Sequence, residues 1–151
     1  MNQNQISSDF VRLQIPMLMI NSLLYKTSVV KFNHLQGKVS LKMIDCPGIN
    51  DVMIDSSYAT IIMKFPLRSP FTCNIITQDG FITKKQIIDQ VRAAYRQQYK
   101  LINLSEANQS EATLLHPLKN LYIDNVYYST EKNIIIANVD GVESIINNYP
   151  F

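Results

Sequence analysis

The two cysteines and two histidines are the residues of this chain best suited to catalytic chemistry. Cys46 lies in the stretch DCPG, where a thiol could act as a nucleophile with His34 or His116 as its base. No wider signature surrounds this cysteine, and any chain that contains one cysteine and one histidine permits such a pair. The sequence therefore favours a thiol that simply ends a strand.

Metal and cofactor sites lack their usual spacing. Neither histidine has a second histidine four residues away or a Cys-x-x-Cys pair nearby. The four glycines are scattered singly, so no glycine-rich loop can cradle a phosphate. The acidic pairs have no companion that would mark them as an acid and a base: Asp51 with Asp55, and Asp140 with Glu143. We expect no cofactor and no metal, and an enzyme with an unrecognised cysteine or carboxylate site is the third of three hypotheses.

Positive charge is concentrated between residues 84 and 100 (KKQIIDQVRAAYRQQYK). This segment holds five basic residues and one acidic residue, which leaves nine basic and eleven acidic residues of the chain's 14 and 12 elsewhere. At helical spacing, four of the cations fall on one strip: Lys85, Arg92, Arg96 and Lys100. Such a strip can contact phosphates without reading a base sequence, so accessory nucleic-acid binding is the alternative function. Asp89 lies within one turn of Lys85 and Arg92, which favours a solvated helix face instead.

The same segment has the start signal and the period of a helix. Thr83 and Gln86 form a capping box, in which each side chain accepts a hydrogen bond from the other residue's backbone N–H. Apolar residues then recur along one continuous arc: Ile87, Ile88, Val91, Ala94, Tyr95 and Tyr99. The pattern predicts a helix over 84–100, with Ile87, Ile88, Val91 and Tyr95 facing the core.

Strands are predicted before this helix. Residues 38–45 alternate between apolar and polar types, which is typical of a half-buried strand. Residues 58–65 and 71–77 are rich in β-branched and aromatic types. Residues 10–32 are expected to form strands, or a strand and a short helix.

After the helix, residues 103–113 are polar and are predicted to form a surface loop. Two apolar runs follow and predict a C-terminal β-hairpin over about 121–139, with Ile134 to Ile136 buried on both faces. Together these elements predict an α+β fold in which a mostly antiparallel sheet packs against one main helix.

Length and composition bound the organisation of the chain. Its 151 residues fit one globular domain at 9–146, between a disordered N-terminal tip at 1–8 and a loose tail at 147–151. The most apolar run, residues 15–24, is too short to span a membrane, and no membrane span is expected. Two cysteines without Cys-x-x-Cys spacing favour free thiols in an intracellular, reducing compartment.

Self-association is indicated by the low charge and by the tyrosines. Charged residues make up only 17% of the chain, and a lightly charged surface favours association. Three tyrosines on one predicted strand form a candidate interface: Tyr122, Tyr127 and Tyr128. Alternation puts Tyr127 and Tyr128 on opposite faces of the sheet, and filling the core is the alternative role. We expect a homo-oligomer, of which a dimer is the commonest form.

A longer stretch carries a family resemblance. Residues 70–141 contain a strand, an Asp-Gly turn, ITKKQIIDQVRAAYRQQY, a polar loop and LKNLYIDNVYYSTEKNIIIANVDG. This order resembles small uncharacterised domains of large DNA viruses of amoebae, Marseillevirus-like or Mimivirus-like. The resemblance implies a virion or viral-factory protein without a known active site, and it transfers no functional residue. The first hypothesis is therefore a non-enzymatic structural or interaction protein that self-associates.

Overall fold

A computed structural model describes residues 9–33, 35–104 and 111–147 of the chain. The predicted tip at 1–8, His34 and most of the predicted tail lie outside these residues. The strands are β1 Phe10–Arg12, β2 Leu18–Met19, β3 Lys26–Asn33, β4 Lys38–Asp45, β5 Val52–Ile54, β6 Tyr58–Met63, β7 Phe71–Ile76, β8 Ile82–Thr83, β9 Leu121–Ser129 and β10 Ile134–Gly141. The helices are α1 Lys84–Asn103, α2 Glu111–Leu115 and α3 Val142–Asn147. The predicted α+β class is confirmed.

The main sheet is mostly antiparallel, as the sequence predicts. Its strand order is β4-β3-β2-β9-β10-β6-β7, and β1 pairs with β9 as well. Among the described strands the β10–β6 pair is the parallel one, with Ile135 opposite Ile61. β5 and β8 form a separate two-stranded sheet. None of the described helices is long and apolar enough to cross a membrane.

The C-terminal hairpin is confirmed and lies in the middle of the sheet. β9 and β10 pair antiparallel, with a register shift between Asn138 and Val139. Burial alternates along β10, so that Ile135 is fully buried whereas Ile134 and Ile136 are only half-buried. The prediction that this run is buried on both faces is wrong, because its central position covers the strand edges and not both of its faces.

Helix α1 begins where its capping box predicts. The Gln86 N–H donates to Thr83 Oγ1 over 3.3 Å, and the Thr83 N–H donates to Gln86 Oε1 over 2.8 Å. The predicted core residues Ile87, Ile88, Val91 and Tyr95 are all fully buried. The helix continues to Asn103, three residues beyond its predicted end, and Ile102 extends the buried arc.

Two connecting regions differ from prediction. Residues 10–33 contain three strands, which agrees with the prediction of strands and not with the alternative of a strand and a short helix. The predicted loop 103–113 begins in the last residue of α1 and ends inside α2, so it is shorter than expected. Residues 105–110 lie outside the described part of the chain. Buried residues from Leu13 to Val139 form one core cluster.

The buried arc of α1 makes a direct stability test. Truncating Ile88 to Ala should lower the free energy of unfolding by roughly 2–4 kcal/mol, because the lost side chain leaves a cavity in a fully packed site. The control is Leu101→Ala on the same helix, whose side chain is 47% exposed and should cost less than about 1 kcal/mol. Urea denaturation of the two variants measures both changes, and equal losses would contradict the assignment of this face.

Candidate functional site

The basic strip of α1 is only partly on the surface. Arg92 is 2% exposed, and its Nε and Nη2 atoms donate to the Met19 carbonyl over 3.1 Å and to the Leu24 carbonyl over 2.7 Å. Arg96 Nη2 donates to the Ser22 carbonyl over 2.8 Å. These guanidinium groups hold the main chain of residues 19–24. The expected exposure of Arg92 is therefore wrong.

Burial around Arg92 has electrostatic consequences. Removal from water lowers the pKa of Arg92, because it disfavours the charged form. The Tyr25 ring lies near two cations, with its centroid 5.4 Å from Arg92 Cζ and 5.5 Å from Lys85 Nζ. The Tyr25 hydroxyl donates to Asp89 Oδ1 over 2.5 Å, and burial together with this carboxylate raises the tyrosine pKa. Arg92 and Tyr25 thus belong to one structural cluster.

The other two cations of the strip stay on the surface. Lys85 pairs with Asp89 at 3.2 Å, and Lys100 is exposed at the end of the helix. Two surface lysines, one of which is neutralised in part by a carboxylate, make a smaller phosphate-binding surface than the sequence predicts. Nucleic-acid contact stays a prediction.

The three candidate interface tyrosines lie in different surroundings. Tyr128 and Tyr122 are both buried, and the Tyr128 hydroxyl donates to Asn133 Oδ1 over 2.7 Å. Burial, with help from the Asp124 and Asp140 charges, raises the pKa of Tyr122 to about 12. Tyr127 is half-buried opposite Ile136 on the other face of the sheet. Of the three, Tyr127 keeps the most surface for a partner.

Both cysteines are free thiols. Burial raises the pKa of Cys46 although Lys84 and Arg92 act in the opposite direction, and burial raises the pKa of Cys73. A reactive cysteine needs a lowered pKa, because the thiolate is the nucleophile. The surroundings of these thiols give the cysteine-enzyme hypothesis no support.

A pocket opens at one end of the sheet, where β6 leaves β10. Pairing between the two strands reaches Ile136 opposite Ile62 and goes no further. The space of about 370 Å³ beyond this point is lined by residues 64–67, by residues 137–139 and by His116. The chain turns away from the sheet after Met63, which keeps the β6 side of residues 137–139 open.

Helix α1 fixes two walls of this pocket. The Tyr95 hydroxyl donates to the Phe65 carbonyl over 2.6 Å, and the Tyr99 hydroxyl donates to the His116 carbonyl over 2.7 Å. The Phe65 and His116 rings lie with their centroids 5.0 Å apart at an angle of 58°. Because both tyrosines come from the buried arc of the helix, the pocket walls are tied to the core.

Next to the pocket, His116 and Glu143 form a pair that was not predicted from the sequence. Their Nδ1 and Oε2 atoms are 3.6 Å apart, and both atoms are buried without a hydrogen-bond partner. A proton on Nδ1 would serve both atoms, with the imidazole as donor and the carboxylate as acceptor. The two residues are 27 positions apart, and no local pattern connects them. Among the described residues, no group of three or more His, Cys, Asp or Glu side chains could hold a metal ion.

No family model, curated protein or solved structure matches this chain. The geometry therefore carries the functional argument.

The outer edge of the main sheet is a second candidate site. β7 is the last strand of the order and pairs, among the described strands, with β6 alone. Its sequence FTCNII contains no charged residue, and Ile76 at its end is 77% exposed. β4 at the other edge contains Lys38, Lys42 and Asp45. Charged residues commonly protect edge strands from pairing, so β7 is less protected than β4, and the three-residue strand β1 at the side of β9 carries Arg12.

The role of Arg92 as an anchor predicts a large loss of stability when its charge is removed. Arg92→Met keeps most of the aliphatic stem but deletes both hydrogen bonds, and the free energy of unfolding should fall by at least about 2 kcal/mol. Lys100→Met removes an exposed cation from the same helix and should change it by less than about 0.5 kcal/mol. Chemical denaturation separates the two variants, and a loss for Arg92→Met as small as the control would contradict the anchor.

The buried Tyr99 hydroxyl predicts a loss of stability at high pH. Burial raises the Tyr99 pKa from 10.0 to about 12, so the folded state holds this proton more tightly than the unfolded state. The contribution of this proton to the free energy of unfolding is complete below about pH 10 and is lost as the pH rises through about 12. In Tyr99→Phe this contribution is absent, so the fall in unfolding free energy between about pH 9 and about pH 11.5 should be smaller than in the wild type. Equal falls in urea denaturation would refute the assignment.

Proposed function

We propose that this protein is a non-enzymatic interaction protein that forms a homodimer through β7, the free edge of its main sheet. The contrast between the two sheet edges carries the proposal. An uncharged edge strand offers unpaired backbone donors and acceptors to a second chain. β7 provides such an edge over six residues, from Phe71 to Ile76.

The difference in charge between the edge strands β7 and β4 also limits the assembly to two copies. Antiparallel pairing of β7 with β7 of a second molecule is a two-fold arrangement, in which each copy contributes the same surface. The charged strand β4 then lies at each outer end of the joined sheet. Charged residues on the outer strands oppose further pairing, so the sheet closes as a dimer instead of growing into a fibre.

Side chains beside the edge suit a second copy of the same surface. Tyr58 of β6 lies opposite Ile76 and is also exposed, so burial of both would add apolar contact area. Next to them, the Thr60 hydroxyl donates to Asn74 Oδ1 over 3.0 Å. β7 itself holds no formal charge, and two copies of this edge can therefore approach without repulsion.

The remaining expectations have less support. The involvement of Arg92 and Arg96 in main-chain contacts weakens the nucleic-acid alternative. Free thiols fit the proposed intracellular, reducing compartment. A viral origin, in a virion or a viral factory, rests on the sequence resemblance alone.

Sedimentation at micromolar concentration tests the dimer with a matched pair of variants. Ile76→Lys places a charge on the edge strand of each copy and should produce monomers, because charged residues on an edge strand oppose pairing with a second strand. Leu104→Lys changes a residue that is equally exposed, 76% against 77% for Ile76, but lies at the end of α1. This control should remain dimeric. A monomeric wild type would refute the proposal.

A third variant distinguishes edge pairing from stacking of the uncovered sheet faces. Thr60→Lys puts a charge on that face, one strand inside the edge. Edge pairing predicts that this variant stays dimeric. Dissociation of the Thr60→Lys variant together with a dimeric Ile76→Lys variant would show that the faces, and not the edges, associate.

A further inference from the structure

We propose that the pocket between residues 64–67, residues 137–139 and His116 binds a small aromatic carboxylate. This inference is independent of dimer formation, because it uses none of the β7 residues. The volume of about 370 Å³ falls in the range of small-molecule sites, roughly 300–1,000 Å³. It is large enough for a single substituted ring and too small for a folded partner.

The walls favour a flat, apolar body. Phe65, Leu67 and Val139 contribute apolar lining, and Ala137 contributes a small side chain that leaves space. Phe65 and His116 are tilted by 58° to each other, so a third ring can contact the edge of one and the face of the other. Because the tyrosine hydroxyl groups of α1 hold the main-chain carbonyls of Phe65 and His116, little of the backbone at these walls has to be ordered on binding.

The charge at the mouth favours an anion. Lys64 is exposed at the rim, and its side chain has no ion-pair or hydrogen-bond partner among the described residues. The amide Nδ2 of the neighbouring Asn138 already donates to Asn125 Oδ1 over 2.6 Å. Lys64 is the cationic donor on this side, and a carboxylate beside the aromatic body would complement it.

A titration monitored by amide NMR tests the site with two probes, benzoate and the neutral, isosteric benzamide. Benzoate should shift the amide signals of residues 64–67 and 137–139 in the full-length protein. Benzamide should bind about fivefold more weakly, which is the scale of one exposed ion pair. Absence of benzoate shifts in these residues, or equal affinity for the two probes, would overturn the proposal.

Two lysine variants test which positive charge causes the preference for benzoate over benzamide. Lys64→Gln should remove the preference for benzoate over benzamide without a loss of folding, because the side chain is exposed. Lys100→Gln removes an equal charge from the end of α1 and should keep the preference. A preference that survives Lys64→Gln would refute the role of Lys64 and with it the choice of ligand. A third variant, Ala137→Leu, should weaken both probes by filling the pocket; should it fail to fold, the two exposed lysine variants still decide the outcome.

Discussion

The packing of α1 against one face of the main sheet is the interaction on which the rest of the structure depends. Burial of the apolar arc supplies the core, and each flank of the helix then has a second task. On one flank, Arg92 and Arg96 donate to main-chain carbonyls of residues 19–24, which connect β2 to β3. On the other flank, Tyr95 and Tyr99 hold the carbonyls of the two pocket walls. A single helix thus stabilises an irregular segment and shapes a cavity.

The regular spacing of apolar residues was enough to predict the main helix and one strand of the sheet. The capping box at Thr83 and the 3.6-residue spacing predicted α1, and alternation predicted β4 at its observed bounds. The role of Arg92 could not be predicted in this way, because its carbonyl partners lie 73 and 68 residues away in the sequence. A helical wheel separates apolar from charged positions. It cannot distinguish a cation in water from one that satisfies distant backbone carbonyls, since an arginine serves either purpose.

The pocket illustrates the same limit at the level of topology. Pro66 signals where β6 must end, and that part was visible in the sequence. Whether the end of β6 leaves an opening depends on which strand lies beside β6. Its parallel neighbour β10 starts more than 70 residues later in the chain. Only this non-local pairing turns the end of a strand into an opening beside residues 137–139. The protection of the sheet edges could not be predicted from the sequence either. Charged residues in a strand protect an edge only if the topology places that strand at the edge.

The turn from β10 into α3 determines why Glu143 meets His116. Asp140 Oδ1 accepts from the Gly141 N–H over 2.8 Å and from the Ser144 hydroxyl over 2.9 Å, which directs the chain into the helix at once. Glu143 then lies beside the imidazole, and a Cβ atom at Gly141 would collide with its carboxylate and approach His116 Nδ1 to 3.1 Å. The constraint on Gly141 therefore comes from the space that the pair occupies, because the Glu143 carboxylate would have to move, and not from its backbone conformation. A side chain at this position would separate the two residues, and the sequence marks the site with nothing more than a glycine between two acidic residues.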